Sequence, residues 1–353
     1  MTKFKNIFAV LFMFLQALSV FAAKKEYGIK VAVARVVNDS FTAPENEPSY
    51  KQTAVFKNLN QNPSLYSLQT TEFLLGEKVR GKVDEATGEC YVSFEKLGGK
   101  IPLKYLEEKL FFSHPYCNLV TIMPLVTLEI LKENEMTISM GTSLYSPDEN
   151  ETWKYYHYPA NADELKGQED ENYIVMLTPE RIGCIPKDNV CKIDDLRRLT
   201  IQQKRTNIIE QARKLLGQPY QWGGRAALEG HGYDCAALVQ IAYLTGAGID
   251  LPRADFEQAN YGKEINPDDL ASGDLLFTLW HRPMRNEDIM IIPIHVMIWV
   301  GGDMLIEASP ISMTVREASV EDVFYGRSLN EIKNGQKFFA NEKMRSVQFR
   351  RFL

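Results

Sequence analysis

After residue 22 the chain contains no unbroken apolar run near the about 20 residues that a membrane-spanning helix needs. Stable membrane insertion of the body of the protein is therefore not expected. No Cys-x-x-Cys pair occurs, and no cysteine stands beside histidine at zinc-site spacing, so no metal is expected. Histidine is scarce, with five in 353 residues: His114, His157, His231, His281 and His295. Positive charge is not in excess. The formal net charge is -6, which argues against a nucleic-acid partner. Repeats of solenoid length are also missing. With 45% hydrophobic and 24% charged residues, the composition is that of a folded globular protein of two or three domains.

The N-terminus is a separate object. Lys3 and Lys5 precede an apolar stretch over 7–21, which ends in Val20-Phe21-Ala22. This is the three-part form of a secretory signal, with cleavage expected near Ala22. A membrane anchor is the alternative, but the run is short and contains Gln16. No cysteine follows it directly, which disfavours a lipid-modified terminus. The expected location is the periplasm or outside the cell. Such compartments permit disulfides. Cys90 with Cys117 and Cys184 with Cys191 are possible local pairs; buried free thiols are the alternative, and five is odd, leaving one over.

Residues 27–190 read as β-rich. Short apolar runs at 28–37, 72–83, 90–94, 120–130, 136–145 and 173–177 alternate with turn chemistry such as Gly98-Gly99 and Lys187-Asp188-Asn189. The polar, acidic stretch 161–172 reads as a solvated loop. Two small barrels are expected, over 23–118 and 119–191. Apolar residues at 208, 209, 212, 215 and 216 then follow helical spacing within 194–216, and Gly217 and Pro219 end that helix. A final domain is placed at 192–353.

The segment with chemical character follows. Gly223, Gly224, Gly230 and Gly232 form a loop, Asp234 is a good N-cap, and Cys235 opens an almost wholly apolar helix that ends at Gly246 and Gly248. Backbone N–H groups at a helix start stabilise a thiolate. A buried structural cysteine is the default for such a sequence; the position at the helix start and the glycine loop favour a nucleophile instead. A thiolate needs a base. His295 lies in IIPIHVMIWV (291–300), whose alternation is that of a strand. Gly301-Gly302-Asp303 turns the chain into MLIEA (304–308). A three-residue loop puts Met297 opposite Glu307 and makes His295 and Glu307 diagonal neighbours; a two-residue loop puts them on opposite faces. Glu307 then orients the imidazole. His231 ranks second as base, because its loop offers no evident orienter. His281 sits in a connection, and His114 and His157 belong to the β-rich region.

PYQWGG (219–224), YDCAALVQIAY (233–243), IDLPRADFEQ (249–258), ASGDLLF (271–277) and IHVMIWVGGDMLIEA (294–308) together resemble the NlpC-type (NlpC/p60) cell-wall cysteine peptidases. The resemblance spans most of 205–310. It implies an α+β fold, with a papain-like peptidase domain preceded by two SH3-like β-barrels; TTEFLLGEKV (70–79) is similar to the latter. It implies Cys235 as nucleophile, His295 as base and Glu307 in the third polar position, which more often holds His, Asn or Gln. Tyr220 matches an aromatic hydroxyl close to the thiol, and Asp234 a residue that pairs with a substrate's free α-amine. Ala236-Ala237 stands where Ser-Gly is common. Residues 278–293 look long and suggest a rim or lid. The implied activity, with no cofactor, is hydrolysis of peptidoglycan stem peptides between γ-D-Glu and a diamino acid (diaminopimelate or Lys), with a preference for a free N-terminal L-Ala. Two other readings compete: a catalytically inactive wall-binding protein, and an acyltransferase or lipid hydrolase on the same scaffold.

Overall fold

The computed structural model describes residues 25–37, 69–94, 97–108, 117–133, 135–146, 171–178, 181–284, 288–333 and 335–353. The expected signal segment, His114 and His157, and the acidic stretch up to residue 170 lie outside these residues.

Seven strands open the described chain: β1 (Lys25–Ile29), β2 (Val33–Val37), β3 (Gln69–Leu74), β4 (Lys78–Asp84), β5 (Glu89–Phe94), β6 (Leu97–Pro102) and β7 (Leu106–Glu107). They form one antiparallel sheet in the order β3-β2-β6-β5-β4-β1-β7. Tyr27, Val36, Phe73, Val79, Val92 and Ile101 lie in one core. Gly76, in the left-handed region (φ 82°), turns β3 into β4. The Gly98-Gly99 pair, expected as a turn, is instead inside β6, where it faces Ser93 and Val92 of β5. Small residues let these strands pair without a side chain to place.

The next seven strands make two smaller sheets. β9 (Leu125–Ile130), β10 (Met136–Ser139), β12 (Asn172–Thr178) and β13 (Arg181–Pro186) order as β10-β9-β13-β12. β8 (Leu119–Thr121), β11 (Ser143–Leu144) and β14 (Val190–Lys192) order as β11-β8-β14. Both sheets contribute to a single core that includes Leu119, Val126, Leu128, Ile138 and Val175. Among the described residues each of these sheets has free ends rather than a closed strand order.

Beyond them lie the helices. The single helix expected over 194–216 is two: α1 (Ile193–Arg198) and α2 (Ile201–Arg213). Thr200 divides them, because its side chain accepts from Gln203 N–H while Gln203 returns a bond to the Thr200 N–H. The apolar helix α3 (Cys235–Ala247) packs across α2. Gly246 lies inside it rather than ending it: a Cβ there would stand 2.6 Å from the Ile208 nitrogen, so the helix crossing needs glycine. Gly248, at φ 66°, caps the helix in the left-handed conformation. After α4 (Asp255–Tyr261) comes a seven-stranded antiparallel sheet. Its strands are β15 (Lys263–Glu264), β16 (Leu275–Pro283), β17 (Ile289–Gly301), β18 (Met304–Ser309), β19 (Thr314–Ser319), β20 (Phe338–Ala340) and β21 (Lys343–Arg351). The order is β15-β21-β16-β17-β18-β19, with β20 on β21. Two short helices, Val320–Val323 and Leu329–Lys333, follow β19. One face of this sheet buries Phe277, Val296, Ile298 and Ile306 against α3. About 25 cal/mol per Å² of apolar surface removed from water holds such a layer together. Within residues 278–293, expected as a rim or lid, β16 and β17 pair as far as Pro283 and Ile289.

All five cysteines are free thiols. Neither local pair forms, because the partners sit in different environments: Cys90 is in the core of the first sheet, Cys117 packs with Tyr145 and Met176, and Cys184 donates to Glu129. Burial pushes the Cys90 and Cys184 thiols up to about 11 and Cys117 up to about 12, so these three stay protonated.

Candidate active site

Cys235 is the first residue of α3, held there by its neighbour. The Asp234 Oδ1 accepts the Ala237 N–H at 2.7 Å, which is the expected N-cap. The other oxygen, Oδ2, accepts the Gly223 N–H at 3.0 Å and so fastens the preceding glycine loop. The start of a helix favours negative charge, and the Cys235 thiol sits there.

The register of β17 against β18 decides where His295 meets Glu307. Ile298 faces Ile306 and Trp299 faces Leu305, but then Gly301 faces Met304. The turn itself is therefore the two residues Gly302 and Asp303, both with positive φ, and Val300 is an extra residue in a bulge. The simple alternative of two or three loop residues misses this case. A two-residue turn plus one bulged residue restores the register that a three-residue loop would give. The outcome is direct: His295 Nε2 lies 2.6 Å from Glu307 Oε2. A carboxylate only accepts, so Nε2 carries the hydrogen. Glu307 is fixed in turn by Arg316, its cross-strand partner on β19, whose Nε donates to Oε1 at 2.8 Å.

With Nε2 occupied, the other ring nitrogen is left for the thiol. His295 Nδ1 is buried and makes no well-aligned hydrogen bond. The group acting on it is Cys235, close enough that each alters the other's protonation. Catalytic pairs are often loose before substrate arrives, so the bond's imperfect geometry does not disqualify it. Burial would lower the imidazole, but the Cys235 thiolate and the Glu307 carboxylate together raise it to about 10. For Cys235, burial pushes the thiol up and His295 draws it back. Burial likewise opposes the charge on Glu307, yet His295 and Arg316 hold its carboxyl below the ordinary range. The arrangement can transfer the thiol proton to an oriented imidazole.

The other sequence-predicted residues fall as follows. Tyr220 is buried in the same core as Cys235. Asp234 is not an open acceptor: Arg253 Nη1 and Nη2 grip its two oxygens at 3.0 and 2.6 Å, in addition to the two backbone bonds. His281 is within β16, not in a connection, and pairs with Ser346 Oγ at 2.7 Å. His231 does have an orienter: its Nδ1 lies 2.7 Å from Glu72 Oε1. Glu72 comes from β3 of the first sheet and also accepts the Arg225 N–H at 2.8 Å. Arg253 Nε donates to Thr71 on the same strand at 3.0 Å. The second β region reaches the same loop through Ser139, whose Oγ accepts the Ala227 N–H at 2.9 Å. Sequence reading missed Arg316, Arg253 and the Glu72 contact. Arg316 was findable from the β18–β19 hairpin spacing, and Arg253 lies within the quoted LPRAD stretch; Glu72 had no local signal. Among the described residues no group of three or more His, Cys, Asp or Glu side chains is placed to hold a metal ion.

The site thus places a thiol at a helix start beside an imidazole that a carboxylate on the sheet holds. Residues 217–334 match the NlpC/P60 family, so the chain carries an NlpC/P60 domain there. It is 29% identical over 134 residues to the γ-D-glutamyl-L-lysine dipeptidyl-peptidase of Bacillus subtilis, covering 37% of this chain and 42% of the relative. It is 35% identical over 100 residues to a probable endopeptidase of Haemophilus influenzae, covering 28% of this chain and 56% of that one. The chain thus spans about half the length of these curated relatives. A crystal structure of an NlpC/P60 family protein from Bacillus cereus has a similar fold, with a TM-score of 0.63 at 19% identity, covering 93% of this chain and all of that one. Among the described residues no helix is long and apolar enough to cross a membrane.

Proposed function

We propose that this protein is an exported cysteine endopeptidase that hydrolyses peptidoglycan stem peptides at the bond between γ-D-glutamate and a diamino acid. Cys235 is the nucleophile, His295 the general base and acid, and Glu307 the residue that orients the imidazole. The observation that carries this reading is the His295–Glu307 pair at 2.6 Å, which leaves Nδ1 to the Cys235 thiol. The two β-rich regions, 23–118 and 119–191, are taken as SH3-like modules and 192–353 as the peptidase domain. The name of the Bacillus subtilis relative supports the γ-D-glutamyl bond.

The chemistry follows from the charges. The thiol proton passes to His295 Nδ1, and the thiolate attacks the amide carbonyl carbon. Negative charge on the carbonyl oxygen is met by N–H groups at the start of α3. The imidazolium gives its proton to the leaving amine as the carbon–nitrogen bond breaks. Water, deprotonated by His295, then hydrolyses the thioester and restores the thiol. Arg316 keeps Glu307 ionised throughout.

The test is mass spectrometry of L-Ala-γ-D-Glu-diaminopimelate incubated with the native protein and with Cys235→Ala. Release of L-Ala-γ-D-Glu by the native protein alone is expected. Binding without turnover by the folded, reduced native protein would replace catalysis with wall binding.

A further inference from the structure

A carboxylate is a good helix cap, but the one that caps α3 immediately precedes the nucleophile. The start of a helix favours a thiolate, whereas a negative charge beside the thiol disfavours it. The two effects oppose each other at Cys235. Burial pushes the thiol up most. His295 on β17 draws it back, and the charges of Asp255 on α4 and of Asp234 push it up further. A neutral Asn or Ser would cap the helix about as well. The carboxylate therefore needs a reason, and a means of keeping its charge off the thiol.

Arg253 supplies that means. It lies in the connection between α3 and α4 and is only 3% exposed. Its Nη1 and Nη2 donate to Oδ1 and Oδ2 of Asp234 at 3.0 and 2.6 Å. The Ala237 and Gly223 N–H groups complete four bonds, which matches the about four acceptor sites of a carboxylate. One charged cap thus holds the helix start, the glycine loop and the arginine together. The remaining edge of the guanidinium meets the first sheet: Nε donates to the buried Thr71 Oγ1 of β3 at 3.0 Å. Burial opposes the charge on Arg253; Asp234 above all, then Cys235 and Glu72, sustains it. A buried ion pair of this kind is weak evidence for stability by itself. A lysine in its place could not make all three bonds in one plane.

We propose that Arg253 is a positioning residue for the nucleophile. Aligned by Thr71 of the first sheet, its guanidinium neutralises the Asp234 cap. The carboxylate then holds the helix start and the glycine loop without suppressing the neighbouring thiolate. The catalytic meaning of this rests on the peptidase reading above, but thiolate formation can be followed without substrate.

The test follows alkylation of Cys235 by iodoacetamide against pH, by mass spectrometry of the peptide that contains it. Native protein is compared with Arg253→Gln, Asp234→Asn, the double variant and Thr71→Val, each with a melting curve. Arg253→Gln leaves the cap charge unmatched, so the rise of alkylation with pH should move up by about one unit, or about tenfold less thiolate on the rising limb. Asp234→Asn leaves the cation unmatched and should move the rise down by about as much. The double variant keeps a neutral cap and buries neither charge, so its rise should lie within about 0.3 unit of native. Thr71→Val changes no charge but loosens the fork, and an upward move of about half a unit is expected. His295, Asp255 and Glu72 are common to all five proteins.

Opposite shifts in the two single variants that cancel in the double variant are the expected result. A merely structural role would move both single variants alike. Shifts in one direction, or none, in folded proteins overturn the inference. If one single variant fails to fold, the other against the double variant decides; if both fail, Thr71→Val decides. Turnover of L-Ala-γ-D-Glu-diaminopimelate is measured on the same proteins. Absence of native turnover with the opposed shifts present overturns the peptidase reading and leaves this one standing. Shifts in one direction with native turnover intact do the reverse.

Discussion

Two histidines of this protein are each bonded to a buried glutamate that also meets an arginine. His295 has Glu307 and Arg316; His231 has Glu72 and Arg35. The histidine–carboxylate distances are 2.6 and 2.7 Å. What separates them is the second ring nitrogen. His295 gives Nε2 to its carboxylate and keeps Nδ1, facing a thiol. His231 gives Nδ1 to its carboxylate, and its Nε2 lies 3.4 Å from Arg35 Nη2 and accepts from it. The first ring has one nitrogen left to move a proton; the second has none. An oriented histidine is therefore a catalytic base only if the orienting bond spares the nitrogen that faces the nucleophile.

The sharpest way to break this comparison is to remove each ring. His295→Ala is expected to lower kcat by about 10⁴-fold, because thiolate formation and proton delivery to the leaving amine fail together. His231→Ala should leave kcat within about 3-fold, since that ring fastens the loop over 223–234 rather than reacting. Steady-state kinetics on the tripeptide, with a melting curve for each variant, reads both. Comparable losses of kcat would show that the two sites are not different in kind.

The next effect separates the two carboxylates. Glu307→Gln should lower kcat by about 10²-fold or more. It should also move the alkaline fall of activity to lower pH. His295 must hold its proton to serve the leaving amine, and Glu307 is among the groups that raise it to about 10. Glu72→Ala should instead cost stability, by about 3 kcal/mol, because Arg35 and the Arg225 N–H lose a fully buried acceptor. The Glu72 carboxyl is opposed by burial but held below its usual range by His231 and Arg35. Its contribution is thus present above the ordinary glutamate range and lost as pH falls through the lowered value. Urea titrations at neutral and acidic pH should show the two proteins converging in acid.

Much of the site was legible because its signals are local. Asp234 before an apolar run announces a capped helix, and Cys235 follows from it. Alternation over 291–300 announces the strand of His295. The bulge at Val300 was not legible, since a turn's length does not reveal an extra residue in the flanking strand. Nor was the orienter of His231, for Glu72 lies 159 residues away and only the docking of β3 on the cleft loop unites them. Gly98-Gly99 misled in the opposite way: glycine signals a turn, but strand pairing across β5 overrode that preference. In the fold, the helix break at Thr200 was available from its capping box with Gln203.

The smallest expected effect has the opposite sign to the others. Asp255 is a carboxylate raised to about 6, so its charged form is less favourable in the folded chain than in the unfolded one. The cost is absent below the ordinary aspartate range, grows between there and about 6, and is full above it. Asp255→Asn removes it, and at pH 8 the variant should be more stable than native by about 1–3 kcal/mol. Near pH 3 the two should melt together. Calorimetric melting temperatures at both pH values settle the matter. A variant that gains nothing at pH 8 would mean that Asp255 already has its partner within the folded chain, and it would then resemble Glu72.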